Sequence, residues 1–137
     1  MDRVDDADRA ARYDWGMILA AVDDLLFSSK IRATAKQLEV TLQFARTPDE
    51  ILTVARTQNP ALAIFDLNSA KMDAIATIAA LKHDPEAGST RVMGFASHVH
   101  TELIRAARAA GADEVLPRSA FAGRLAEILQ TAESSQS

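Results

Sequence analysis

The sequence predicts an α/β domain built on a doubly wound, five-stranded parallel sheet, order 2-1-3-4-5, with helices on both faces. Three observations lead there. Short apolar runs of strand length alternate with helix-period stripes five times along the chain. The segments between the runs are long enough for the helical crossovers that parallel strands need. And 48% of the 137 residues are apolar, enough for one core even with 27 alanines among them.

Taken in order, residues 1–15 (MDRVDDADRAARYDW) carry five Asp and three Arg and little large apolar surface. They are expected to form a flexible or loosely helical extension, with Tyr13 and Trp15 docking at the domain edge. The folded domain is expected over 16–131, with a polar tail over 132–137. Met17–Val22 (MILAAV) is a continuous apolar run, suited to a strand covered on both faces. Phe27, Ile31, Ala35 and Leu38 follow at helical spacing. Val40–Ala45 is β-branched and aromatic enough for a second strand. Thr47-Pro48-Asp49-Glu50 is a capping box with Pro at the first helical position, so a second helix starts there. Ile51, Leu52 and Ala55 form its stripe, and Asn59-Pro60 ends it.

Ala61–Phe65 is a third strand leading into Asp66. Met72, Ile75, Ile78, Ala79 and Leu81 mark a third helix that ends near His83-Asp84-Pro85. Arg91–Phe95, with Gly94 inside it, is a weaker fourth strand. Leu103, Ile104 and Ala107 mark a fourth helix, closed by Gly111 in a left-handed conformation. Asp113–Pro117 is a short fifth strand, and Phe121, Leu125, Ile128 and Leu129 line one last helix.

Composition excludes several function classes. There is no cysteine, hence no disulfide scaffold, thiolate metal site or cysteine nucleophile. A net charge of −4 argues against a basic nucleic-acid-binding surface. No apolar run approaches the ~20 residues that cross a bilayer, and the first fifteen residues have no apolar h-region of a signal peptide. A cytoplasmic location, with no nucleic-acid or membrane partner, is therefore expected.

In such sheets ligands sit beyond the carboxyl ends of the strands, where the strand order reverses. Asp23 and Asp24 follow the first strand and Asp66 ends the third, its neighbour in this order. Three carboxylates at one sheet edge repel each other, so either their pKa values rise or a cation joins them. Oxygen ligation with room for water suits Mg2+. A carboxylate beside Mg2+ can act as an in-line nucleophile toward phosphorus. The structural alternative has Asp23 and Asp24 capping the first helix and Asp66 as a turn residue.

With MILAAVDD, ALAIFDLN, the Met72-Asp73 pair and AARAAGADEVLPR in place, the chain from about Met17 to Leu129 resembles the receiver domains of two-component response regulators, of flavodoxin-like (βα)5 fold. The resemblance implies that Asp66 is the phosphoacceptor. It makes Asp23 and Asp24 the acids that bind Mg2+ together with Asp66, Asp24 being the more direct ligand. Asn68 would add its backbone carbonyl, and Arg118 would contact the phosphoryl group in place of the family's lysine. A histidine kinase or phosphotransfer protein as phosphodonor, and a protein target downstream, are implied as partners. The resemblance also implies that the chain is not an enzyme, beyond at most self-phosphorylation from a donor and slow autodephosphorylation.

The chain also departs from the family pattern. The Thr or Ser expected thirty positions after the phosphoacceptor is Ala96, which has no hydroxyl to follow a phosphoryl oxygen. Ser97 is next, but strand alternation points it the other way. The aromatic switch residue is Val115, and the proline after the lysine position is Ser119. Ala70 and Ala74 replace the usual Pro and Gly after Asp66. These changes mark an atypical receiver.

His98 and His100 form a His-x-His pair for which surface or helix-cap roles compete with metal binding, and His98 is a further candidate to contact a phosphoryl group, as is Ser97. His83 is expected in solvent at a helix end. Arg105 and Arg108 read as a solvated face or a partner surface, and the alanines of the fourth helix suit a homodimer contact. Two functions remain in play: a single-domain receiver phosphorylated on Asp66, and a pseudo-receiver acting as a phosphorylation-independent interaction or dimerisation module. A metal-dependent phosphatase fits less well, because no lid or second catalytic base is evident.

Overall fold

A computed structural model describes residues 17–69, 72–97 and 100–134. The expectations for residues 1–15, Ala70, His98 and the end of the tail lie outside them. The elements run β1 (Ile18–Ala21), α1 (Leu25–Leu38), β2 (Leu42–Phe44), α2 (Pro48–Gln58), β3 (Leu62–Asp66), α3 (Ala74–His83), β4 (Arg91–Ala96), α4 (Thr101–Ala110), β5 (Glu114–Pro117), α5 (Arg118–Gly123) and α6 (Leu125–Ser134). The strands form one sheet in the order β2-β1-β3-β4-β5, as expected. Every pair is parallel.

Strand alternation sorts the core into two layers. Leu19, Ala21, Ala63, Phe65, Val92, Ala96 and Val115 pack with Ile51, Val54, Ala55, Ile78, Leu81 and Ala107 on the face covered by α2, α3 and α4. Ile18, Ala20, Val22, Leu62, Ile64, Met93 and Phe95 pack with Phe27, Ile31, Ala35, Phe121, Leu125 and Leu129 on the face covered by α1, α5 and α6. Because both faces of the sheet are covered, β1 and β3 read as unbroken apolar runs.

Local chemistry sets the ends of the elements. Thr47 Oγ1 accepts the Glu50 N–H, and the Glu50 carboxylate reaches back to the Arg46 N–H. The box thus closes one residue earlier than its usual form, which would use the Thr47 N–H. Asn59 ends α2 at φ 49° and Gly111 ends α4 at φ 119°. Gly94 leaves room on β4 for Leu67, whose side chain a Cβ there would meet at 3.1 Å.

The last helix departs from expectation. The stripe from Phe121 to Leu129 predicts one helix, but two short ones form, meeting at Arg124. The Arg124 N–H closes α5 on the carbonyls of Ala120 and Phe121, while its own carbonyl accepts the Ile128 N–H and opens α6. Phe121 and Leu125, on either side of the break, are both buried, and α6 runs to Ser134 with Ala132 buried.

Candidate functional site

The site stands at the carboxyl end of the sheet, where β1 and β3 lie side by side. Asp66 is the last residue of β3 and is buried, in register with Phe95 of β4. Asp23 and Asp24 follow β1 and are half-buried. Asp24 is the N-cap of α1, and its Oδ1 accepts the Phe27 N–H at 3.0 Å. Asp24 thus caps α1 with one oxygen and turns the other, Oδ2, toward Arg118.

Arg118 begins α5 directly after β5. Its Nη1 lies 3.7 Å from Asp24 Oδ2 and its Nη2 lies 3.6 Å from Asp66 Oδ1. One guanidinium thus spans two of the three carboxylates, which suits a planar fork and not an ammonium. Its floor is aromatic: the guanidinium carbon sits 5.3 Å from the Phe27 ring centre and 5.7 Å from that of Phe95. Phe95 and Phe121 stack at 4.5 Å, and Phe27 meets both edge-on. This aromatic support escapes a reading of local patterns, since its three rings come from α1, β4 and α5.

Burial pushes the Asp66 carboxyl above its usual range; the Asn68 N–H and the Arg118 charge pull it back, and Asp23 and Asp24 push it further up. Asp23 and Asp24 are thus both close enough to act on the Asp66 carboxylate. Asp66 Oδ1 accepts the Asn68 N–H at 3.0 Å. The Asn68 side chain crosses to the β4–α4 loop: its Oδ1 accepts the Ser97 N–H at 3.1 Å and its Nδ2 lies 3.0 Å from His100 Nδ1.

Ala96 ends β4 fully buried in the layer beneath α2–α4, and Val115 is buried in the same layer. Neither presents a polar atom to Asp66. Ser97 lines a cleft of about 400 Å³ with Phe27, Arg118, Ser119 and Ala122. A second cleft, about 200 Å³, runs past Asp24, Leu26, Phe27, Lys30 and Arg118. Leu25 and Leu26 beside it are exposed, Leu26 by 86%. His83 is exposed at the end of α3, its Nδ1 2.8 Å from the Ala79 carbonyl. Arg105 and Arg108 are exposed on α4.

The donors are of the kind Mg2+ prefers: carboxylate and carbonyl oxygens, two of the carboxylates reachable from solvent. Asp23, Asp24 and Asp66 carry three carboxylates against the one guanidinium of Arg118, which contacts two of them, so negative charge is in excess and a cation fits the donor set. Among the described residues no three acids or histidines stand grouped closely enough to hold a metal ion as arranged. A cation that took Asp24 Oδ2 as a ligand would compete with Arg118 for it.

No protein-family model matches the sequence, and no curated protein matches it. Solved structures do match the fold. A response regulator from Hahella chejuensis aligns over 88% of this chain and 97% of its own, at 18% identity and a TM-score of 0.77. The signal receiver domain of a signal transduction histidine kinase from Syntrophus aciditrophicus aligns over 88% and 91%, at 19% identity and TM-score 0.75. The chemotaxis response regulator CheY4 of Vibrio cholerae aligns over 85% and 98%, at 19% identity and TM-score 0.73. The fold is that of response-regulator receivers. Among the described residues no helix is long and apolar enough to cross a membrane.

Proposed function

We propose that this receiver-fold chain accepts a phosphoryl group on Asp66 and passes the signal on by protein contact. The observation that carries the proposal is the position of Asp66: a buried carboxylate at the switch point of the sheet, with Asp23, Asp24 and Arg118 around it. An Asp66 oxygen attacks phosphorus in line. The new P–O bond forms as the bond to the donor breaks, and the leaving group keeps that electron pair. A phosphohistidine donor leaves as imidazole and takes up a proton; an acyl phosphate leaves as a carboxylate. Burial strips water from the nucleophile, and Arg118 offers donors to the phosphoryl oxygens. Bound Mg2+, held by Asp23, Asp24, Asp66 and the Asn68 carbonyl, would neutralise further oxygen charge during transfer.

The donor is proposed to be a histidine kinase or phosphotransfer protein. The exposed Leu25 and Leu26, next to the Asp24 cleft, support a protein partner at this edge. Self-phosphorylation and slow loss of the phosphoryl group are the whole of the proposed catalysis.

The second reading, a pseudo-receiver that works without phosphorylation, is favoured by one feature. Arg118 already contacts both Asp24 and Asp66, so the site is partly neutralised from within. The two separate by intact-mass measurement after incubation with Mg2+ and acetyl phosphate. The first expects a gain of one phosphoryl group that Asp66→Asn abolishes. No gain in wild type, or an equal gain in Asp66→Asn, overturns it.

A further inference from the structure

We infer that Asn68 is the positioning residue through which a change at Asp66 reaches helix α4, in place of the hydroxyl that Ala96 lacks. The inference rests on the proposed role of Asp66 for its biological sense, but on geometry alone for the coupling. Asn68 uses three polar groups in two directions. Its backbone N–H donates to Asp66 Oδ1 at 3.0 Å. Its side-chain carbonyl accepts the Ser97 N–H at 3.1 Å, and its amide nitrogen lies 3.0 Å from His100 Nδ1. Because a backbone N–H can only donate, the Ser97 contact fixes which end of the amide is oxygen. The amide nitrogen must then donate, and His100 Nδ1 must accept. This places the ring proton of His100 on Nε2.

His100 is in turn tied to the start of α4. Its N–H donates to the Ser97 carbonyl at 3.0 Å, and its carbonyl accepts the Ile104 N–H at 3.1 Å, within the first turn. The chain of contacts therefore runs from Asp66 Oδ1 through Asn68 to Ser97 and His100 and into α4. Among the described residues no other side-chain hydrogen bond joins the β3–α3 loop to the β4–α4 loop. An oxygen that swings, gains a substituent or loses its lone pair at Asp66 moves the Asn68 backbone, and with it both ends of the amide. A shift at α4 requires such a differential contact. Ala96 cannot provide one, since its methyl group is sealed in the core beneath α2–α4.

The test uses the whole protein and does not depend on phosphorylation. His100 ring-nitrogen shifts and α4 amide shifts are recorded by NMR for wild type, Asp66→Ala, Asn68→Ala and the double variant. Removal of the Asp66 oxygens is expected to move the His100 Nδ1 signal and the α4 amides in the wild-type background. In the Asn68→Ala background the same removal should move them less than about a third as far. Asn68→Asp, which keeps the acceptor for Ser97 but cannot donate to His100 Nδ1, should lose the His100 response and retain part of the Ser97 one. Equal responses with and without the Asn68 side chain overturn the inference. A final arm adds beryllofluoride with Mg2+ and follows bound fluoride by 19F NMR. No bound fluoride speaks against phosphoryl acceptance, while the Asp66→Ala comparison still decides the coupling. Bound fluoride with an unchanged α4 in wild type overturns the coupling itself.

Discussion

Arg118 stands between Asp24 and Asp66, with Nη1 3.7 Å from the Asp24 carboxylate and Nη2 3.6 Å from that of Asp66. Both distances exceed a short hydrogen bond, so the contact is mainly Coulombic and open to competition from an ion or an anion. About two-fifths of the Arg118 side chain is exposed (39%), and solvent weakens its hold accordingly.

The first prediction follows from that competition. Arg118→Ala should tighten Mg2+ binding by about two- to fivefold, since Arg118 no longer competes for Asp24 Oδ2; an exposed ion pair is worth up to about 1 kcal/mol. Amide shifts of Val22 and Asn68 during a magnesium titration measure it. Equal affinities would mean that Arg118 does not guard the site.

Asp66 itself should cost stability at neutral pH. Burial raises its pKa above the ordinary value of 3.8, so ionising the carboxylate costs more in the folded protein than in the unfolded chain. The cost is full above the raised pKa and fades as pH falls through it toward 3.8. Asp66→Asn should therefore melt above wild type at pH 7, by about 2–6 °C for each kcal/mol of the desolvation cost removed. The gap should shrink in acid. A variant that melts below wild type at pH 7 would show that the pairing with Arg118 outweighs desolvation.

The aromatic floor supports both the core and the site. Phe121→Ala empties a fully buried position against Phe27 and Phe95. The expected loss is about 3–5 kcal/mol, seen as a lower denaturant midpoint at unchanged m-value. Phe27→Leu keeps most of the apolar volume but removes one ring beneath Arg118. It should cost less stability while broadening or shifting the Arg118 side-chain resonances. Unchanged resonances would assign the position of Arg118 to its ion pairs alone.

Gly111 closes α4 at φ 119°, where an L side chain is strained. A Cβ there would also approach Lys82 Cγ at 2.8 Å. Lys82 holds the Thr90 carbonyl and the Asp113 carboxylate, which in turn accepts the Val92 N–H. Gly111→Ala is expected to cost about 1–3 kcal/mol by thermal or chemical denaturation. A neutral substitution would show that the α4–β5 turn relaxes freely.

Much of the architecture was legible beforehand because it is written in local spacing. The apolar run ALAIF ends in Asp66 with five buried residues in a row, as a strand covered on both faces must. Thr47 and Glu50 announce α2 three residues apart. The break at Arg124 was not legible: the stripe continues through it at helical period, and the local pattern holds no Gly or Pro at Arg124 to mark the point where α5 closes and α6 opens.

The sequence by itself determined the order of strands and helices and the positions of Asp23, Asp24 and Asp66 at the ends of their strands. It also determined the absence of a hydroxyl at Ala96. Those features depend on residue type and on spacings of two to four residues, which a chain carries with it before it folds. Only the tertiary structure decided that Arg118 forks across Asp24 and Asp66, that Phe27 and Phe95 from separate elements form its floor with Phe121 packed on both, and that Asn68 reaches Ser97 and His100. Each of these joins side chains from different elements of the fold. Their meeting depends on how helices seat on the sheet and which rotamers the packing leaves open, and neither is encoded in a local period.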